Sequence, residues 1–233
     1  RLLRKAVDAE PTHFLAHFAL ANVLQMRGKT DDAIAEYLEA LKGNPDPGPT
    51  HINLGNIYRS KQDYVRAREH FQKALDLNGA DVTALMGMAA VLEATGSSEG
   101  ALKHLDRAIA IRPDNALAHH VKASLLMKLD RREQAYGVLR QGLSSAPRDP
   151  VLLSDMGLYY LRGDRPDSAI TYLEEALEVR PDLLSARGNL AVACERSGLV
   201  SEAKEHYRRY ISQAPPGRSR QMAEQALERL GPD

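Results

Sequence analysis

Four asparagines in this chain could read the backbone of another polypeptide. Asn53 and Asn56 lie one helical turn apart, and Asn22 and Asn189 are similarly placed elsewhere. A side-chain amide carries both a donor and an acceptor, so it can pair with the N–H and the C=O of an extended ligand. Three cations form a second set. Lys128, Arg162 and Arg196 recur 34 residues apart and would make a basic line for an acidic partner. Local physics offers another reason for them: a cation in the last turn of a helix gains about 0.3–1 kcal/mol from the helix dipole, and Glu195 dilutes the line. The eight histidines raise the question of a metal. His13 and His17 are four apart and His119 adjoins His120, but no cysteine or carboxylate completes a zinc-type set. His70, His104 and His206 are expected to face outward. Cys194 is read as a buried, unreactive thiol. No phosphate-cradling glycine loop, nucleophile elbow or metalloprotease motif is present. The expectation is no cofactor, no metal and no enzyme.

The elements that position these groups follow a fixed period. Ala33, Ala67, Ala101, Ala135, Ala169 and Ala203 are each 34 residues apart. A second row runs Ala40, Ala74, Ala108, Gly142, Ala176, Tyr210, and a third Pro45, Gly79, Pro113, Pro147, Pro181, Pro215. Such a period means stacked, near-identical units. Each repeat reads as two amphipathic helices with apolar residues at three-and-four spacing, as Leu54, Ile57 and Tyr58 are, then Ala67, Phe71, Ala74 and Leu75. Gly28, Gln62, Gly96, Asp130, Asp164 and Gly198 supply the turns, and the prolines end the repeats. Six repeats are expected at 14–47, 48–81, 82–115, 116–149, 150–183 and 184–217. Residues 1–13 align with the second helix of a truncated preceding repeat plus a turn, with Ala6 and Pro11 in the right rows. Residues 218–233 read as a capping helix stopped by Gly231-Pro232. The unbroken row of small alanines marks close helix crossings, with Tyr37, Phe71, Leu105, Leu139, Leu173 and Tyr207 filling the space beside them.

These residues resemble the tetratricopeptide repeat, whose pattern is W-x2-L-G-x2-Y, then A-x3-F, A and P. Leu54-Gly55, Tyr58, Ala67, Phe71 and Ala74 match it, as do Met156-Gly157, Tyr160, Ala169, Leu173, Ala176 and Pro181. The tryptophan is replaced throughout, by His17, His51, Leu85, His119, Leu153 and Arg187. Tyr210 replaces an alanine, and Lys122 a leucine. The resemblance implies an all-α fold, a right-handed superhelical solenoid of antiparallel helix pairs, with the first helix of each repeat lining a concave groove. Groove positions would then be Leu15, Phe18, Asn22, Ile52, Asn53, Asn56, Arg59, Met86, Glu93, His120, Lys128, Asp155, Arg162, Asn189 and Arg196, with Asn22, Asn53 and Asn56 facing solvent. The carboxylate clamp of chaperone-binding members needs basic residues where this chain has Phe18, Thr83 and Gly87, so chaperone tails are not the expected ligand.

Composition sets the remaining bounds. Net charge is zero and 43% of residues are hydrophobic, which fits a globular chain and argues against a nucleic-acid backbone as partner. No apolar run reaches a membrane span, so no membrane insertion is expected. A single cysteine favours the cytoplasm; because the chain reads as a fragment, the periplasm stays open. The expected function is a protein-interaction scaffold holding a peptide or protein segment. The alternatives are a recruiting region of a larger enzyme such as a transferase, and a self-associating scaffold.

Overall fold

The computed structural model describes residues 2–10 and 12–231; Pro11 and Pro232, singled out in the sequence, lie outside them. Among the described residues there are fourteen helices and no strand. They divide into two compact units, Arg1–Arg112 and Pro113–Asp233. The N-terminal unit holds α1 (Leu2–Ala9), α2 (Phe14–Met26), α3 (Thr30–Ala40), α4 (Gly48–Ser60), α5 (Tyr64–Leu77), α6 (Val82–Ala94) and α7 (Ser98–Ile111). The C-terminal unit holds α8 (Ala116–Lys128), α9 (Arg132–Ser145), α10 (Pro150–Arg162), α11 (Pro166–Val179), α12 (Leu184–Arg196), α13 (Val200–Gln213) and α14 (Arg218–Arg229). Even-numbered helices from α2 to α12 pair with the helix that follows, pairs within each unit stack in sequence, and α14 packs on α13.

The turns within pairs follow from backbone conformation. Gly28, Gln62, Gly96, Asp130, Asp164 and Gly198 all have φ between 54° and 82°. Each leaves the first helix in the left-handed region, which closes a short connection to the second. Three of the six are not glycine, so those turns carry a steric cost that packing must offset.

The core is built from the periodic rows. The six alanines from Ala33 to Ala203 have no exposed surface. Phe71 shows how the large row meets the small one. A Cβ placed on Gly55 would lie 2.8 Å from its ring, and one on Gly87 would clash harder. The ring therefore fills a hole made by α4 and α6 together. Leu173 plays the same part against Gly157. Where Tyr210 replaces the small residue, Gly188 provides the room, with its would-be Cβ 3.1 Å from the ring.

The expectation that His70, His104 and His206 face outward is overturned. His70 is buried, and His104 and His206 are half-buried. The reason lies in the row that replaces tryptophan. His17, His51, His119 and Arg187 are all buried polar groups, and a buried polar group needs a partner. The residue nineteen positions later supplies one. His17 Nδ1 lies 2.6 Å from Glu36 Oε2, His51 Nδ1 2.9 Å from His70 Nδ1, and Arg187 Nη1 3.5 Å from His206 Nδ1. His119 turns elsewhere, its Nε2 lying 2.9 Å from the Pro113 carbonyl. Tyr58 stacks on His70 at 5.5 Å. Burial depresses both members of the His51–His70 pair, His70 to about 4.

Candidate functional site

In the N-terminal unit the amides are already engaged. Tyr37 Oη, at the end of a fully buried ring, lies 2.5 Å from Asn22 Oδ1 and 2.9 Å from Gln25 Oε1. Asn53 Nδ2 donates to that same Oη at 3.1 Å and to Asn22 Oδ1 at 3.3 Å. These bonds tie α4 to the α2–α3 pair. The expectation that Asn22 and Asn53 simply face solvent is therefore corrected: both are half-buried and bonded inside the fold, because a buried phenol hydroxyl must find partners. Asn56 is half-buried and makes no hydrogen bond among the described residues. Around them, Leu15 and Arg59 are exposed, while Phe18, Ile52, Met86 and Glu93 are half-buried. Phe18 sets its edge against Tyr37 at 5.8 Å.

The C-terminal unit is different. Here the first helices α8, α10 and α12 carry charge and leave space. His120 Nδ1 on α8 lies 2.5 Å from Asp155 Oδ2 on α10. The hydrogen bond to Asp155 raises the histidine pKa. Burial raises that of Asp155 and outweighs the opposing pull of His120. Further along, α12 and α14 bound a cavity of about 840 Å³, lined by Leu158, Leu184, Asn189, Val192, Tyr207 and Met222 among others. A smaller one of about 100 Å³, bounded by Ser124, Met127, Lys128, Asp155 and Arg162, shares Leu158 with it.

The carboxylate in the larger cavity is internally matched. Glu195 accepts from Tyr207 Oη at 2.7 Å and from Arg229 Nη2 of α14 at 2.5 Å. Burial acts against its ionised form, yet these two donors hold its pKa below the usual range. The network was not anticipated from the sequence. Its one visible sign is that Tyr37 and Tyr207 are the two members of the large row that carry a hydroxyl, and each uses it on the residue twelve positions earlier.

The three cations of the basic line occupy the last turns of α8, α10 and α12. Arg196 donates through Nη1 to the Leu161 carbonyl at the end of α10, at 3.1 Å, and stands 3.9 Å from Asp164. Arg162 is exposed and has no ion pair among the described residues. Cys194 is buried, and burial pushes its thiol up to about 11. Among the described residues no three metal-binding side chains cluster, and no helix is long and apolar enough to cross a membrane.

Similarity to known proteins agrees with the repeat fold. A family model described as the Cilia and flagella-associated protein 70 C-terminal domain matches residues 2–229. The BBSome complex member BBS4 of Bos taurus is 24% identical over 196 residues, covering 84% of this chain and 38% of that protein. The chain thus spans well under half the length of this curated relative. Among solved structures, a tetratricopeptide repeat protein from Parabacteroides merdae has a TM-score of 0.75 at 15% identity, covering 92% of this chain and 85% of that one. YrrB, described as a TPR protein with an unusual peptide-binding site, has a TM-score of 0.59 at 21% identity, covering 80% of this chain and 96% of that one. With the repeat rows, the helix pairs and a family match across nearly its whole length, the chain belongs to the tetratricopeptide-repeat family of the cilia and flagella-associated protein 70 C-terminal domain.

Proposed function

We propose that this chain is a non-enzymatic holding module that seats a segment of a partner protein on the exposed faces of its first helices, chiefly α8, α10 and α12. The observation that carries this reading is the cavity of about 840 Å³ beside α12. It combines apolar side chains with a few polar groups, as recognition sites do. The peptide-binding site described for YrrB supports the same use of this fold. In the N-terminal unit, taken by itself, Ile52, Asn56, Arg59, Met86 and Glu93 would offer a first-helix face of their own, with Asn56 the amide best placed to meet a ligand backbone.

A photo-crosslinking residue at Val192 tests the reading against the same residue at Glu174, which is exposed on α11. Adducts with partner protein are expected from position 192 and not from 174. Adducts from 174 alone would move the partner to the second helices and reject the seat.

A further inference from the structure

Resting on that reading, we infer that the segment seated on the C-terminal unit is acidic and carries a bulky apolar anchor. The charge balance over α8, α10 and α12 points to the acid. The carboxylates on this face are already matched inside the fold: Asp155 by His120, and Glu195 by Tyr207 and Arg229. Asp167, on α11, accepts from Ser197 at 2.6 Å. Arg162 and Arg196 are not matched in the same way. Arg162 has no ion pair among the described residues. Arg196 spends one nitrogen on a helix-end carbonyl and meets only a 92% exposed Asp164 at the limit of ion-pair range. Lys128 is exposed at the same place in its own repeat. A carboxylate on a partner would complete what the fold leaves open at Arg162 and Arg196, and complementary charge steers encounter as well as register.

The cavities supply the other half of the recognition. Lys128 and Arg162 border the smaller one, and Arg196 borders the larger. Leu158 forms part of the lining of both, so the two are neighbours along the first helices. The larger one is lined by Leu158, Leu184, Val192 and Met222, and Met222 is 60% exposed. A large aliphatic or aromatic side chain would bury this surface, the kind of central anchor on which interfaces depend. Acidic groups on the flank of that anchor would then lie against the basic line. The recurrence of the cations at the repeat period gives the partner a spacing to match.

Selection of a library of short random displayed peptides on the full chain tests this. The recovered peptides are then titrated against wild type, Arg162→Glu, Lys128→Glu with Arg162→Glu, and Val192→Tyr, which puts a bulky ring into the larger cavity. Circular dichroism verifies that each variant stays helical, and Arg162→Gln serves should a reversal disturb folding. The expected winners carry net negative charge and at least one bulky apolar residue, and lose about tenfold or more in affinity on the charge-reversed variants. Neutral or basic winners that are lost on Val192→Tyr but not on Arg162→Glu would overturn the acidic partner and leave the seat standing. No enrichment, or winners indifferent to every variant, would reject both. Concentration-dependent self-association abolished by Arg162→Glu would identify the occupant as a second copy of this chain, and overturn the proposal of a foreign acidic segment.

Discussion

The first-helix faces of the two units use the same rows to opposite ends. In the N-terminal unit the polar side chains close on themselves: Tyr37, Asn22, Gln25 and Asn53 form one neutral network that ties neighbouring helix pairs. In the C-terminal unit the equivalent hydroxyl, Tyr207, binds Glu195, which in turn holds Arg229 of α14. That arrangement stands α14 beside α12 and leaves a cavity between them. A repeat row fixes where a side chain points, while the partner available there decides whether it serves the fold or stays open for a ligand. Amides that look like ligand clamps along the sequence become structural ties once a buried hydroxyl lies within reach.

The sharpest way to break the comparison is through the large row. Phe71→Ala removes a ring that fills a hole from two helices and should cost about 3–5 kcal/mol. Chemical denaturation measures the loss, and hydrogen exchange should place it in α4, α5 and α6, with the C-terminal unit retaining its protection. Uniform loss of protection throughout the chain would mean that the two units unfold as one.

Titration should then separate the units. The buried His51–His70 pair has depressed pKa values, so the unfolded chain binds protons first. Its stabilising contribution is full above about pH 6.5 and declines as pH falls toward about 4, by about 1–3 kcal/mol. His120 behaves oppositely. Its pKa is raised by Asp155, so its contribution is present below about pH 6.5 and is lost as pH rises through the folded value. Ring titrations by NMR should place His51 and His70 below the usual histidine midpoint and His120 above it. A His70 midpoint at the usual value would show that the pair is open to water.

Asn53→Ala sharpens the claim that the N-terminal amides are ties. It should destabilise by about 1–2 kcal/mol, since the Oη of buried Tyr37 loses one of its partners. Asn56→Ala, with no such bond to lose, should stay within about 0.5 kcal/mol. Equal stabilities by thermal melting would return Asn53 to the role of a free ligand clamp. The smallest expected effect concerns the turns. Gln62 holds a φ of 60°, so Gln62→Gly should relieve strain that is partly offset by glycine's entropy in the unfolded chain, for a net gain of up to about 1 kcal/mol. Asp130→Gly and Asp164→Gly should act alike in the C-terminal unit. A loss in any of these melts would point to a side-chain contact that matters more than the backbone strain.

Much of the fold was legible in the sequence. The alanine rows, the turn positions and the alternation of large and small residues all follow from a 34-residue period, because a helix crossing accepts one size of side chain and each crossing recurs once per repeat. The buried place of Cys194 was legible for the same reason: its position in the helix faces the core. The outward reading of His70, His104 and His206 failed because periodicity alone does not reveal what a second helix meets. Only the packed structure set His70 against His51 and His206 against Arg187, since those pairs are nineteen residues apart on opposing helices. The candidate site divides along the same line. Spacing along the chain establishes that Lys128, Arg162 and Arg196 share one position in the repeat. Which cation lacks an ion pair, which amide is spent on Tyr37, and where α14 leaves room beside α12 emerge only on folding, because each depends on a partner brought close by helix packing and not by order along the chain.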